Sequence, residues 1–395
     1  MRSLVISAEQ RWGSVGRALA IGEALAFLGD VTVAAFDDGP LWVGSDAFRT
    51  PVRTYRSFDE LVELVRELDG EPGEPRLIFA CKPFERSLDW AHAARAAAGV
   101  DATFVMDFDE DDAAVNARWQ NDKAPLDRAK TWLVHERSPL QLERRIRRHI
   151  ADADLLTVAC WEVRRLLPPR VGPEARVVHA RPAVPLVAPE PSDRLRIGFL
   201  GTLQTYKGTD VLSRLLAARE NLELHLLDVR EHAPPELTGD RVVFHDRAGP
   251  ETLRRAFRQV DVVVLPQDLT SDAARWQTPM KLLDALRHGV PVIATPTPPI
   301  MEIAGEVIFP VQRWDPLDEA LAHLDALADP AVREAAAARS HRFFGEHLAA
   351  EVQARQLSAV LDNLSAHGRG EGRIQGPLDH ARRAWRLVRA RPAPG

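Results

Sequence analysis

Cysteine is nearly absent from this chain of 395 residues: Cys81 and Cys160 are the only two, and they lie far apart. That excludes a disulfide framework and any CxxC metal or redox motif, and it points to a reducing compartment. Lysine is almost as scarce, with Lys82, Lys123, Lys130, Lys207 and Lys281 set against 46 arginines, so each lysine that persists carries some extra weight. A basic surplus is missing too. Lys and Arg total 51 against 57 Asp and Glu, a formal net charge of −6, which argues against nucleic acid as a partner because polyanion binding needs excess positive charge. No window reaches the ~18 uninterrupted apolar residues of a membrane span, and the opening MRSLVISAEQRWG is too short in apolar residues for a signal segment. A cytoplasmic protein is expected. What is present is a globular composition, 45% apolar and 27% charged, with length enough for two domains.

Apolar strand-like runs alternate with helical periodicity along the whole chain. SLVISA (3–8) suits a strand covered on both faces, and it leads through Gly13 and Gly16 into Val15, Ala18, Ile21, Leu25 and Leu28 at helical spacing. Strands follow at 31–36, 76–81, 102–108, 154–159 and 175–180, with helices at 58–68, 87–98 and 139–150. The stretch 181–195 holds Pro182, Pro185, Pro189 and Pro191, which deny helix and ladder hydrogen bonds. The alternation then restarts, with strands at 196–201, 222–228, 241–246, 261–266 and 290–295 and helices at 210–219, 251–258 and 279–288. The expected fold class is α/β, with two doubly wound Rossmann-like domains. Residues 1–188 form the first, 189–195 a linker, 196–345 the second, 346–364 a helix returning to the first domain and 365–395 a basic flexible tail. The carboxyl ends of the two sheets should line a ligand-binding cleft.

FLGTLQTYKGTDVL (199–212) runs from a strand through Gly201 and Gly208 into a helix opening at Thr209 or Asp210. Glycines allow a sharp turn and close approach to a ligand, the helix N-terminus offers free N–H groups, and Lys207 adds a full charge; a diphosphate suits this better than a neutral ligand. An ordinary turn with a solvated lysine is the plainer alternative. Downstream, a strand stops at Pro266, and TPMKLLDALRHG places Lys281 and Asp284 on one side of a helix. In a nucleotide site such an aspartate accepts ribose hydroxyls, while backbone around Thr278, Pro279 and Met280 holds base or phosphate. A surface ion pair between Lys281 and Asp284 is the competing reading.

These two segments, in this order, resemble the family-4-like retaining glycosyltransferases of the GT-B fold. The resemblance covers 196 to about 345, with weaker echoes at Gly13, Ser14, Gly16 and Arg17. It implies a nucleotide-diphosphate sugar of UDP or GDP type as co-substrate, no other cofactor, no metal, and transfer with retention to a glycan, lipid-linked or small-molecule acceptor. In the family a basic pair holds the diphosphate, and Lys207 matches its lysine while Thr202 stands where an arginine is common. The paired carboxylates of the family fall on Trp276 and Asp284, so only the ribose-binding one is kept. By the resemblance, donor binding falls to Gly201, Thr202, Lys207, Gly208, Pro266, Thr278, Pro279, Met280, Lys281 and Asp284, with Lys207 stabilising the leaving phosphate.

MDFDEDD (106–112) ends a strand of the first domain. Asp107 and Asp109 spell the DxD of metal-dependent glycosyltransferases, but binding of acceptor hydroxyls by Asp107 or Asp109 is the preferred reading, with Asp109 also assigned to catalysis; helix N-capping by Asp111 or Asp112 is the alternative. Gly13, Ser14, Gly16 and Arg17 form a glycine turn expected to face the donor phosphates across the cleft, and its spacing is not GxGxxG, which disfavours a nicotinamide dinucleotide. His135, His149 and His179 lack an HxxxH partner, so no histidine is assigned. Trp12 and Trp42 are read as packing residues. The Arg-rich segment 379–391 reads either as a solvated extension or as a cationic helix touching an anionic membrane on its inner face. A sugar-nucleotide 2-epimerase and a non-catalytic nucleotide-sugar-binding subunit are the rival functions.

Overall fold

The structure is a computed structural model that describes residues 1–11, 13–42, 44–45, 48–71, 73–121, 127, 131, 135–186, 188–203, 207–227, 233–246 and 249–367. The chain forms two units: Met1–Trp42, Thr50–Val178 and Ala354–Gly395 make the first, Val43–Arg49 and His179–Gln353 the second.

The first unit is built on β1 (Arg2–Ser7), β2 (Asp30–Phe36), β3 (Val52–Tyr55), β4 (Arg76–Cys81), β5 (Thr103–Phe108), β6 (Leu155–Val158) and β7 (Glu174–Arg176). They pair in the order β3-β2-β1-β4-β5-β6-β7, all parallel. Its interior strands read as unbroken apolar runs because helices cover both faces: Val5, Ile6, Phe79, Ile78, Phe104 and Val105 are wholly enclosed. The second unit holds β8 (Leu195–Phe199), β9 (Leu222–Leu226), β10 (Val242–Phe244), β11 (Val262–Leu265), β12 (Val292–Ala294) and β13 (Phe309–Pro310), ordered β10-β9-β8-β11-β12-β13. Ile197, Phe199, Leu212, Leu215, Leu224, Val262 and Leu324 centre its core.

In each sheet the chain builds outward from one central strand and then returns to build the other way, so β1 and β4, and β8 and β11, flank a topological switch. Loops leaving the carboxyl ends of such strand pairs are where open α/β sheets hold ligands. Among the described residues no helix is long and apolar enough to cross a membrane.

The elements differ from the sequence-based expectation at several places. Strand β3 was not expected, because Arg53 and Thr54 are exposed on this edge strand and break the apolar run. The strand expected at 175–180 pairs only over Glu174–Arg176. The change of unit falls at His179 rather than at 189–195, because the proline-rich segment is stitched to the second unit through its carbonyls. Arg287 Nε donates to Pro182 O at 2.7 Å, and the His341 ring bonds Val184 O at 2.7 Å. The late helix, expected at 346–364, runs from Ala350 to His367 after a wide turn over Phe344–Leu348. Residues 379–391 lie outside the described residues, as does Trp12.

Candidate functional site

At the switch of the second unit, two loops close on each other. Gly208 has φ of 76°, and a Cβ there would stand 2.0 Å from Pro266 O, so only glycine lets the loop after β8 lie against the end of β11. The helix Thr209–Ala218 that follows has no side-chain cap, which leaves its first N–H groups and positive dipole end for a ligand. Gly201 makes room in the same way: a Cβ there would lie 2.8 Å from Lys281 Cε.

Lys281 therefore reaches back from the helix Met280–Arg287 to the end of β8. Its Nζ sits 3.6 Å from the centroid of the Phe199 ring, and burial together with the neighbouring Lys207 ammonium holds its pKa well below the ordinary lysine value. Among the described residues Lys281 makes no ion pair. The surface pair with Asp284 does not form. Asp284 is enclosed, 9% exposed, with Arg181 Nε 3.4 Å from its Oδ1, and that oxygen makes no hydrogen bond. Arg181 in turn lies over the Phe48 ring at 3.6 Å. Thr202 is exposed, Thr278 and Pro279 are buried and Met280 is half-buried.

Gln267, which sequence reasoning passed over, belongs to this place. It follows Pro266, is buried, donates from Nε2 to Ala274 O at 3.2 Å, and leaves Oε1 without a partner. A polar residue directly after a buried strand was the available signal. Trp276 is half-buried beside Arg275, whose guanidinium lies 5.1 Å from its ring.

The first unit corrects two expectations. Arg17 does not face an open glycine turn: it is wholly buried and grips Asp107 with two hydrogen bonds, Nε to Oδ2 at 2.8 Å and Nη2 to Oδ1 at 2.7 Å. Thr157 Oγ1 donates to the same carboxylate at 2.6 Å. Burial opposes the guanidinium charge, yet Asp107 holds its pKa above the usual arginine value. Asp107, also fully enclosed, is thus committed to structure, and neither an acceptor hydroxyl nor a DxD metal pair has access to it. Each charge is the reason the other can be buried. Gly13 opens the helix Gly13–Leu25 and Gly16 is buried within it, while Ser14 Oγ donates to Glu9 Oε1 at 3.0 Å. Trp42, half-buried, is tied by its backbone N–H to Gln10 O at 2.7 Å.

Asp109 has a different partner. Lys82, the residue after β4, takes a left-handed backbone with φ of 66°, a conformation that a side chain-bearing residue adopts only when its surroundings impose it. Its N–H bonds Asp107 O at 3.0 Å, and its Nζ meets Asp109 at 2.8 Å, Glu110 at 2.7 Å and Asp112 at 3.1 Å. The ammonium is 5% exposed. Burial disfavours its charge, but Asp109, Asp112 and Glu110 raise its pKa well above the usual range. Burial likewise pushes the Asp112 carboxyl well up, against the pull of Lys82. Asp111 Oδ1 accepts from Ala114 N at 3.1 Å, so the N-capping alternative holds for that residue. Lys82 was one of five lysines in an arginine-rich chain, which was the only sequence-level sign of it.

Residues 194–329 match the family model for glycosyl transferases group 1. A search of curated proteins by sequence finds no match. Sucrose-phosphate synthase from Thermosynechococcus elongatus is similar in structure, with TM-score 0.63 at 17% identity over 93% of this chain and 100% of that one. HepE from Anabaena, solved with UDP-glucose, gives 0.63 at 14% identity over 92% of this chain and 100% of that one. An alpha-glucosyltransferase solved with UDP and a 13-mer DNA gives 0.57 at 10% identity, over 92% and 100%. The group 1 glycosyl transferase match thus falls within the second unit, and nearly the whole chain shares the GT-B fold of these solved structures.

Proposed function

We propose that the protein transfers a hexose from a UDP- or GDP-sugar to a hydroxyl of a glycan, lipid-linked or small-molecule acceptor, with retention of configuration and without a metal ion. One observation carries this reading: Lys281 and Lys207 stand together beside an uncapped helix N-terminus, and Lys281 makes no ion pair among the described residues. An enclosed ammonium without a counter-charge, as at Lys281, is unfavourable unless an anion joins it. A diphosphate brings that anion. Lys281, whose position Gly201 permits, supplies the second cation that an arginine at Thr202 would otherwise give.

On this reading the diphosphate lies over Gly201, Thr202, Lys207, Gly208 and Lys281, the base and ribose lie along Pro266, Thr278, Pro279 and Met280, and Asp284 accepts from a ribose hydroxyl with its unbonded Oδ1. The bond from the anomeric carbon to the β-phosphate oxygen breaks, the acceptor oxygen bonds that carbon on the same face, and its proton passes to the departing phosphate oxygen. Charge grows on the phosphate as the bond breaks, so fixed N–H groups and two ammoniums stabilise the transition state more than the ground state. They supply the positive charge that a divalent ion would otherwise bring. Asp109, held by Lys82, is the proposed acceptor contact. A glycan acceptor would place the reaction in polysaccharide biosynthesis at the cytoplasmic side, with 379–391 touching anionic lipid.

The test is a thermal-shift series with UDP-, GDP-, ADP- and TDP-sugars, followed by assay of nucleoside diphosphate release over an acceptor panel. A bound donor stabilises the folded state in proportion to its occupancy. The expected result is a rise in unfolding temperature with one class of donor that is lost in Lys207→Ala/Lys281→Ala. No shift with any donor, or an unchanged shift in the double variant, overturns the reading.

A further inference from the structure

The first unit carries a set of metal-ligating side chains that the transfer reaction does not use. His92 lies on the helix Trp90–Ala98, His149 closes the helix Pro139–His149, and Asp152 stands in the turn before β6. Their ligating atoms all lie within 4.8 Å of one another. His92 Nε2 is 3.6 Å from Asp152 Oδ2, and the two imidazole rings are 4.8 Å apart, inclined at 50°.

His149 is the fixed member, 8% exposed, with Nε2 against Asp89 Oδ1 at 2.7 Å. Asp89 is itself anchored by Arg145 Nε at 2.7 Å. The hydrogen bond to Asp89 assigns the His149 proton to Nε2 and leaves a lone pair on Nδ1, which is buried and has no hydrogen-bond partner. A buried polar atom left unpaired in this way is costly and marks a place where an ion or water belongs. A carboxylate orienting one nitrogen of an imidazole while the other is left open is also the arrangement that supports metal-bound histidines.

We propose that His92, His149 and Asp152 bind a divalent transition-metal cation of the zinc type, with water completing the coordination. Two imidazoles and one carboxylate suit zinc, whereas magnesium and calcium demand oxygen ligands. The ligand atoms must draw closer than 4.8 Å, and the side chains able to move are the open ones, His92 at 35% and Asp152 at 53% exposure. The neighbouring guanidinium groups of Arg145 and Arg95 are engaged by Asp89 and Asp154.

The cluster precedes β6, and the His92 ring meets Phe104 edge-on near the start of β5, at the end of the sheet opposite Lys82. The ion therefore ties the helix Trp90–Ala98 to the turn before β6 and acts on stability, not on transfer. The inference does not depend on the proposed reaction.

Tag-free, chelator-stripped full-length protein is titrated with ZnCl2 by calorimetry and with CoCl2 by visible absorption, with MgCl2 as control. Expected are one zinc per chain, visible cobalt bands of a four-coordinate site, and an unfolding temperature raised by zinc but not by magnesium. His92→Ala and Asp152→Ala, both at partly open positions, keep the fold and weaken zinc binding by about tenfold or more. Absence of zinc and cobalt binding in the parent protein, or affinity unchanged in both variants, overturns the proposal.

Discussion

Lys281 Nζ rests 3.6 Å from the centroid of the Phe199 ring and next to Lys207, and among the described residues it makes no ion pair with Asp284. Removing Lys207 should lower turnover by about two orders of magnitude, roughly 3 kcal/mol, the cost of losing one preorganised charge-stabilising donor. Lys281→Met should weaken donor binding. Steady-state kinetics with calorimetry of donor binding measures both.

The lowered pKa of Lys281 gives that site a pH signature. The folded protein sheds this proton before the unfolded chain does, so its stability rises with pH between the lowered value and the ordinary lysine value of 10.5. Donor binding needs the charged form and should fall as pH climbs through the same window. In Lys281→Met the donor-free protein should lose that rise, as read from unfolding temperature against pH.

Glycine at 201 and 208 should respond differently to alanine. Gly208→Ala meets the Pro266 carbonyl and a left-handed backbone, so stability should drop by more than the ~1 kcal/mol of the backbone penalty alone. Gly201→Ala meets the flexible Lys281 side chain, so donor affinity should fall with little change in unfolding midpoint. Urea denaturation and donor titration separate the two.

Arg17→Met strands the enclosed Asp107 carboxylate and should cost about 3–5 kcal/mol of stability. The double variant Arg17→Met/Asp107→Leu should recover much of it, since no bare charge remains. A double-mutant cycle in urea checks this; equal losses in single and double variants would show that the pair is not the coupling.

Lys82→Met should destabilise most near neutral pH and least in acid. Without the ammonium, burial and the neighbouring carboxylates push the Asp112 carboxyl further up, so the folded variant keeps a proton there that the unfolded chain releases, and its stability falls as pH rises above the ordinary carboxylate range. Comparing unfolding temperatures of parent and variant from acid to neutral pH tests it, and a constant gap would remove Lys82 as the organising charge.

The periodic runs made two parallel α/β units legible, and the glycine-lysine loop and the downstream lysine were visible as neighbours in chemistry before the sheet order brought them together. Arg17 and Asp107 were both noticed but given the wrong role. They are 90 positions apart, and only the placement of β1 two strands from β5 sets one against the other. Lys82 and its three carboxylates were hidden for the same reason: local spacing says nothing of which loops share a sheet edge. The proline segment misled because missing N–H groups were counted while the carbonyls, which do the bonding, were not.

Val43–Arg49 is part of the second unit although it lies inside the sequence of the first. A chimera that swaps only the carboxyl-terminal half to alter donor preference would leave Arg181 without the Phe48 ring beneath it. Exchange of the second unit therefore calls for two grafted pieces, the short early insert together with the stretch beginning at His179.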